Sequence, residues 1–449
     1  MIAPMRGLTT PEGVRAKTRT WDRCRQARVR SRRVTSQTVR SNGLVKRSGW
    51  PRARSSSLWF AGDAVVNAKC RRRRVDRGVT MQIVSVEAQA FEIPLRKKFA
   101  GSVYWMTTRC TVVTRIRTLD GLEAEVYNGD NRSAGRELVR LIQDEIAPRI
   151  IGEDSTAYER IWRKAAEISL PNRDRKIAME AIACVDTAIW DLLGKRANLS
   201  VRRLLGGFRK SIPIISIGGY YQDGKTLLDL AKEMEALKRV GMAGCKVKVG
   251  GLSPEQDAER VKAAKDGAGD DFIIAVDANR GWNGGDAIRF ARLVEHLGIR
   301  WFEEPCHWYD DARMMAEVRR NTIIPINAGQ SEYSAHGVRR LIDAGAVDVV
   351  NFDASEGGGI TEWRRAAAAC ALLDVEMAHH EEPQIAAHML AGIPHGTYVE
   401  CFADPDRDPL WPRMLRDPPK IENGILEVPD RPGFGIQIDW DQLGRYRIG

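Results

Sequence analysis

The pattern of apolar and polar positions changes character twice along the chain. Up to residue 80 no apolar period of 2 or 3.6 is sustained, and the stretch is rich in Arg, Ser, Thr and Gly. At Met81 a clean strand pattern begins with Gln82-Ile83-Val84-Ser85-Val86-Glu87-Ala88. Thr111 to Arg117 reads as another strand and Arg175 to Lys195 as a long helix, so this part is an α+β segment. From about Ile212 short apolar runs alternate with amphipathic stretches, which predicts repeated βα units and a parallel sheet.

The predicted strands are Pro213 to Gly219, Cys245 to Val249, Phe272 to Asn279, Ile299 to Glu304, Pro325 to Glu332, Val347 to Ala354, Val375 to His380 and Thr397 to Phe402. Eight such units close into a barrel whose chemistry sits at the C-terminal ends of its strands. The predicted fold class is α/β, a modified TIM-type (β/α) barrel of seven to eight βα units over 208–404, under an α+β capping domain over 81–207. Beyond Phe402 the chain turns Pro- and Asp-rich and then reaches Gly424-Ile425-Leu426-Glu427-Val428. This tail, 405–449, is expected to return to the capping domain.

Charge changes the picture only at one end. The net charge of +11 is concentrated in residues 1–80, which hold 21 basic and 4 acidic residues, whereas the remainder holds 49 and 55 and is mildly acidic. A nucleic-acid partner is therefore not expected for the body of the protein. For residues 1–80 three readings stand: a nucleic-acid-binding tail, an organelle-targeting peptide, or a stretch upstream of the true first residue, Met81. The last is favoured because the strand pattern starts as soon as the basic run Arg71 to Arg74 has passed. The eight cysteines are scattered without a CxxC pair, which suits a reducing cytoplasm. No apolar run reaches the ~18 residues of a bilayer span, so no membrane partner is expected.

Polar groups recur at one predicted strand end after another: Lys246 and Lys248, Asp277 and Asn279, Glu303, Gln330, Asp353, His380 and Glu400. Their spacing of 20 to 31 residues is about one strand, loop and helix, so the fold brings them to one rim. Taken singly, each is more cheaply a helix cap or a solvated loop group. The ordered set is not, because charges beside runs such as Phe272-Ile273-Ile274-Ala275-Val276 are costly unless paired or bound to a cation.

The series Lys246-Val247-Lys248, Val276-Asp277-Ala278-Asn279, Glu303-Glu304-Pro305, Asp353 with Gly358-Gly359-Ile360-Thr361, His380 and Glu400 resembles the mandelate racemase branch of the enolase superfamily, from about Met81 to Gly449. The resemblance implies one Mg²⁺ per subunit, with Asp277 and Glu303 as ligands and Gln330 in a place where the family usually has Glu. Glu332, two residues on, is the alternative third ligand. Lys248 matches the family's base on one face of the substrate, with Lys246 beside it to lower its pKa. His380 matches the base on the other face, with Asp353 as its partner, and His379 points away. Glu400 matches a protonated donor to the substrate carboxylate. Asn279, Tyr104, Trp105 and Asn128 are the expected substrate contacts.

What this equipment implies is removal of the proton beside a carboxylate, giving an enediolate that a cation and positioned donors stabilise. The expected outcome is dehydration of a sugar acid to a 2-keto-3-deoxy acid by a homo-oligomer. A racemase or epimerase acting by two-base transfer is the alternative. A barrel that binds ligands without turnover is the reading from another class, motivated by Gln330.

Overall fold

The computed structural model of the protein describes residues 81–449 apart from 130–133, 412 and 449. The basic stretch, with its three readings, lies outside the described residues. An antiparallel meander comes first, made of β1 (Ile83–Ala100), β2 (Trp105–Thr118) and β3 (Glu123–Asn128). The chain end completes this sheet, since Arg447 and Ile448 pair antiparallel with Phe91 and Ala90.

Phe91, Val112 and Ile116 of the meander are fully buried and join one apolar cluster with Ala181, Ile182 and Val185 of the helix Arg175–Ala197. That helix begins where the Asp174 side chain accepts from the amides of Lys176 and Ile177, and it stops at Asn198 in the left-handed conformation. It is buried over most of its length because it lies between two layers. Lys195 reaches the Glu123 carbonyl on β3 at 2.9 Å, while Trp190 donates to Thr361 Oγ1 at 3.0 Å on the barrel helix Ile360–Leu372.

The barrel strands are β4 (Ser211–Gly218), β5 (Gly244–Lys248), β6 (Ile273–Asp277), β7 (Phe302–Glu303), β8 (Ile326–Ala328), β9 (Val349–Val350), β10 (Glu376–Met377) and β11 (Val399–Cys401). Each of β4 to β10 is followed by a helix, and each of β4 to β9 pairs parallel with the next. The ring closes at two places: β11 pairs parallel with β4, and Met377 bridges Gly396 through hydrogen bonds of 2.9 Å to His395 and Thr397. Part of the tail, Ile425–Glu427, pairs antiparallel with the start of β4.

The last six strands are shorter than the apolar runs predicted. Asn279, Glu304, Gly329 and Glu381 all have positive φ and turn the chain off the ladder at the rim. Inside the ring Ile215, Ala275 and Trp301 form an apolar plug, and two residues further along the same strands stand Asp277 and Glu303. Among the described residues no helix is long and apolar enough to cross a membrane, and the six described cysteines are buried and free.

Candidate active site

β5 turns Cys245, Val247 and Val249 toward the apolar layer under the helices, which leaves Lys246 and Lys248 facing the ring interior. Lys246 Nζ lies 2.8 Å from Glu303, 2.8 Å from Glu400 and 3.8 Å from Asp277. Lys248 Nζ lies 2.7 Å from Asp277 Oδ2, and these two residues are partners across the β5–β6 ladder. Asp277 also accepts from the Asn279 amide at 2.8 Å and from its Nδ2 at 3.0 Å. Burial pushes the Glu303 carboxyl up to about 8 against the pull of Lys246. Burial acts the same way on Asp277, but Lys248 and Lys246 outweigh it and hold that group below its ordinary value.

One expectation is corrected here. Two neighbouring lysines were expected to depress each other's pKa, yet that of Lys248 lies well above the ordinary value. Burial does pull it down, but the Asp277 carboxylate in hydrogen-bond contact, together with Tyr104 and Tyr220 nearby, more than offsets burial.

Gln330 comes to the same rim from the turn after β8. Its Nε2 donates to Glu304 Oε2 at 2.8 Å, while its Oε1 is buried with no donor, as is Asn279 Oδ1. Glu304 is 3% exposed, with Arg280 at 3.5 Å. Carboxylates beside unsatisfied amide oxygens are the donor set of a hard divalent cation, so Asp277, Glu303 and Gln330 fit Mg²⁺. Glu332 does not join them. β8 ends at Ala328, so strand alternation does not reach Glu332, and its carboxylate pairs with Arg340 on the helix Ala335–Asp343 at 2.7 Å.

The histidine side is built from loops. His380 Nδ1 lies 2.9 Å from Asp353 Oδ2, and its Nε2 lies 3.2 Å from Glu381 Oε1. Burial would strip the proton from this imidazole, but Glu381 and Asp353 together raise its pKa well above the ordinary value. His379 is turned away, its Nε2 accepting from the Ala354 amide at 2.9 Å. Asp353, Glu356 and His380 bring their polar atoms within 4.8 Å of one another. Both imidazole nitrogens lie within 3.2 Å of carboxylate oxygens, so a metal ion here would have to displace one of those contacts.

Two of the expected substrate contacts are placed elsewhere, and a third group keeps its place. Glu400 is at the rim as expected, its Oε2 accepting from Lys246 Nζ at 2.9 Å while its Oε1, 2.8 Å from the same nitrogen, is buried without a hydrogen bond. Asn128 is 1% exposed and ties the cap to the barrel, donating to Thr187 and Ser355 at 3.1 Å each. Trp105 is 65% exposed, with Lys98 over its ring, because it lies just past the hairpin tip that Ser102 pins to the Ala278 carbonyl. Tyr104 does reach the site, its ring 5.6 Å from Lys248 Nζ.

A cavity of about 460 Å³ collects Lys248, Asn279, Gln330, His380, Glu381 and Tyr104, with Lys176 and Glu180 from the cap helix and Glu356 from the loop after β9. A larger cavity, about 910 Å³, lies by Lys98, Tyr221 and Arg260 and contains none of the strand-tip residues. Glu304 and Glu381 were not singled out from sequence. Both stand in a Glu-Glu-Pro run just past a strand, at 303–305 and 381–383, and that repeated doublet was the available signal.

A capped (β/α) barrel with carboxylates, paired lysines and a His–Asp pair at its rim defines the class of metal-assisted acid–base enzymes that act on carboxylates. Comparison with known proteins narrows this. The family model described as mandelate racemase / muconate lactonizing enzyme, N-terminal domain, matches residues 68–206, and that described as enolase C-terminal domain-like matches 229–442. The chain belongs to the mandelate racemase/muconate lactonizing enzyme family of the enolase superfamily. It is 32% identical to arabinonate dehydratase from Saccharolobus solfataricus over 73% of this chain and 88% of that protein. It is 28% identical to 3,6-anhydro-alpha-L-galactonate cycloisomerase from Streptomyces coelicolor, over 82% of this chain and all of that one. A mandelate racemase/muconate lactonizing enzyme from a marine actinobacterium, solved in complex with magnesium, is 43% identical with a TM-score of 0.77, covering 82% of this chain and 99% of that one. Mg²⁺ is the cofactor of this family, and its sugar-acid members include both dehydratases and isomerases.

Proposed function

We propose that this protein is a hydro-lyase that dehydrates a sugar acid to a 2-keto-3-deoxy acid. The observation that carries the reading is that one cavity is lined by Lys248, which stands on Asp277, and by His380, which stands on Asp353. Asp277, Glu303 and Gln330 would hold Mg²⁺, which would supply positive charge beside the substrate carboxylate, and Asp277 so engaged would no longer favour the protonated form of Lys248. Lys248 Nζ accepts the proton from the carbon next to that carboxylate. The C–O bond of the neighbouring hydroxyl then breaks with its electron pair on oxygen, and His380 Nε2 donates the proton that makes it water. Tautomerisation of the resulting enol gives the 2-keto-3-deoxy acid. Glu304, which accepts from Gln330 Nε2, would supply beside that site the negative charge that Gln330 lacks.

Arabinonate dehydratase among the relatives supports a polyhydroxy monoacid as substrate. The polar wall formed by Lys176, Glu180 and Glu356 supports it too, because hydroxyl groups find both donors and acceptors there. The second reading, a racemase or epimerase, is favoured by the presence of two proton-carrying groups in one cavity. Incubating the Mg²⁺-loaded protein with a panel of sugar acids in D₂O tests both. 2-Keto acid product with deuterium uptake supports dehydration, and uptake with inverted configuration alone supports the isomerase. No uptake with any acid removes both.

A further inference from the structure

His380 carries a second carboxylate that the proposed reaction does not use. Glu381 lies 3.2 Å from Nε2, the nitrogen opposite the one bonded to Asp353. Neither the fold nor chain proximity requires this contact, since successive residues of a regular strand point to opposite sides. It exists because Glu381 and Glu382 both adopt the left-handed conformation, with φ of +51° and +48°. Such strain persists only where surroundings over-determine it. Here Glu382 is buried against Arg109, which also donates to the Gly129 carbonyl at 2.8 Å. The Glu381 amide reaches toward Glu400 at 3.4 Å.

We propose that Glu381 is a positioning residue that keeps His380 in its proton-donating form and thereby commits the enzyme to loss of water over return of a proton to carbon. The inference rests on the reading of the site as a dehydratase. A histidine acting as acid must hold its proton until the hydroxyl leaves, whereas epimerisation needs the same nitrogen to be free to take a proton from carbon. One carboxylate on Nδ1 orients the ring and serves either task. A second on Nε2 favours the charged ring alone. The other charged groups do not reverse this balance. Asp353 and Glu356 face the ring from the loop after β9, and the neutral His379 bonds away from it. Burial opposes the charge on Glu381, but His380 itself, and then Arg407 and Arg109, favour its ionised form, and Lys248 lines the same cavity.

The test compares the Mg²⁺-loaded wild type with Glu381→Gln and Glu381→Asp on a sugar acid that the wild type dehydrates. In Glu381→Gln the basic limb of the dehydration profile should move down by about one pH unit, and the ratio of epimerised, deuterated substrate to 2-keto product in D₂O should rise by about tenfold. Glu381→Asp should restore most of both. Superimposable profiles and an unchanged ratio would overturn the proposal. A wild type that makes no 2-keto acid removes the dehydratase reading instead. The imidazole itself is then decisive: in histidine-labelled wild-type protein, the resonance missing from His380→Asn should titrate well above the ordinary value of about 6.5. A midpoint at or below that value overturns the proposal whatever the substrate.

Discussion

The lysine side and the histidine side of the cavity reach similar chemistry by different construction. Lys248 and Asp277 are partners in a regular parallel ladder, and Lys246 and Glu303 lie on the same and the next strand but one, so backbone pairing alone places four charges. His380 and Asp353 follow strands of two residues each, and their geometry depends on left-handed residues, on Glu382 against Arg109, and on Asn128 reaching Ser355 from the cap. The difference is that a ladder fixes a site through local pairing, whereas a loop needs partners from distant parts of the chain to over-determine it.

The largest test of that contrast is Lys248→Ala. Turnover should fall by roughly 1,000-fold or more with the fold intact, since the ladder does not need the side chain. Circular dichroism and product assays check this, and a variant within tenfold of wild type would mean that another group takes the proton. Next comes the metal. Glu304→Gln should weaken Mg²⁺ binding by about tenfold or more in calorimetry, while Glu332→Gln, which only releases Arg340, should leave it within about twofold. Equal losses would put Glu332 back at the site.

On the histidine side, Asn128→Ala should cost about 1–2 kcal/mol of stability in denaturant melts by removing buried bonds to Thr187 and Ser355. It should also lower dehydration, because the Ser355 loop carries Asp353. A stability loss without any kinetic change would show that the loop holds itself. The smallest effect concerns His388, on the helix Pro383–Gly392 that follows the catalytic loop. Burial depresses its pKa to about 3, so the unfolded chain takes up a proton first as pH falls below about 6.5. Its neutral form therefore contributes stability above that pH, and this is lost progressively from about 6.5 down to about 3. The stability difference between wild type and His388→Gln should shrink on going from pH 7 to pH 5. A constant difference would mean that His388 does not titrate as its burial requires.

These two constructions also explain what was legible. Lys246, Lys248, Asp277 and Glu303 could be read off because a strand has a fixed period of 2 and the βα repeat has a fixed length. Gln330 could be placed at the rim, but its partner Glu304 could not, because the contact arises from a positive φ that no periodicity announces. Glu332 was drawn in by extending strand alternation past Ala328, where the strand had already ended. Asn128 and Trp105 failed for a related reason: polarity and aromaticity near a loop do not say whether the side chain faces a cavity, the other layer or solvent.

By itself the sequence determined the capped barrel, the order of groups around its rim and the separation of the basic stretch from the acidic body, since each follows from local period and spacing. Tertiary structure alone decided the charge states and the directions of the side chains. Glu400 came to Lys246, Lys248 to Asp277, and Glu381 to the far nitrogen of His380. Burial and the distance to an opposite charge set such properties, and both are sums over residues far apart in the chain.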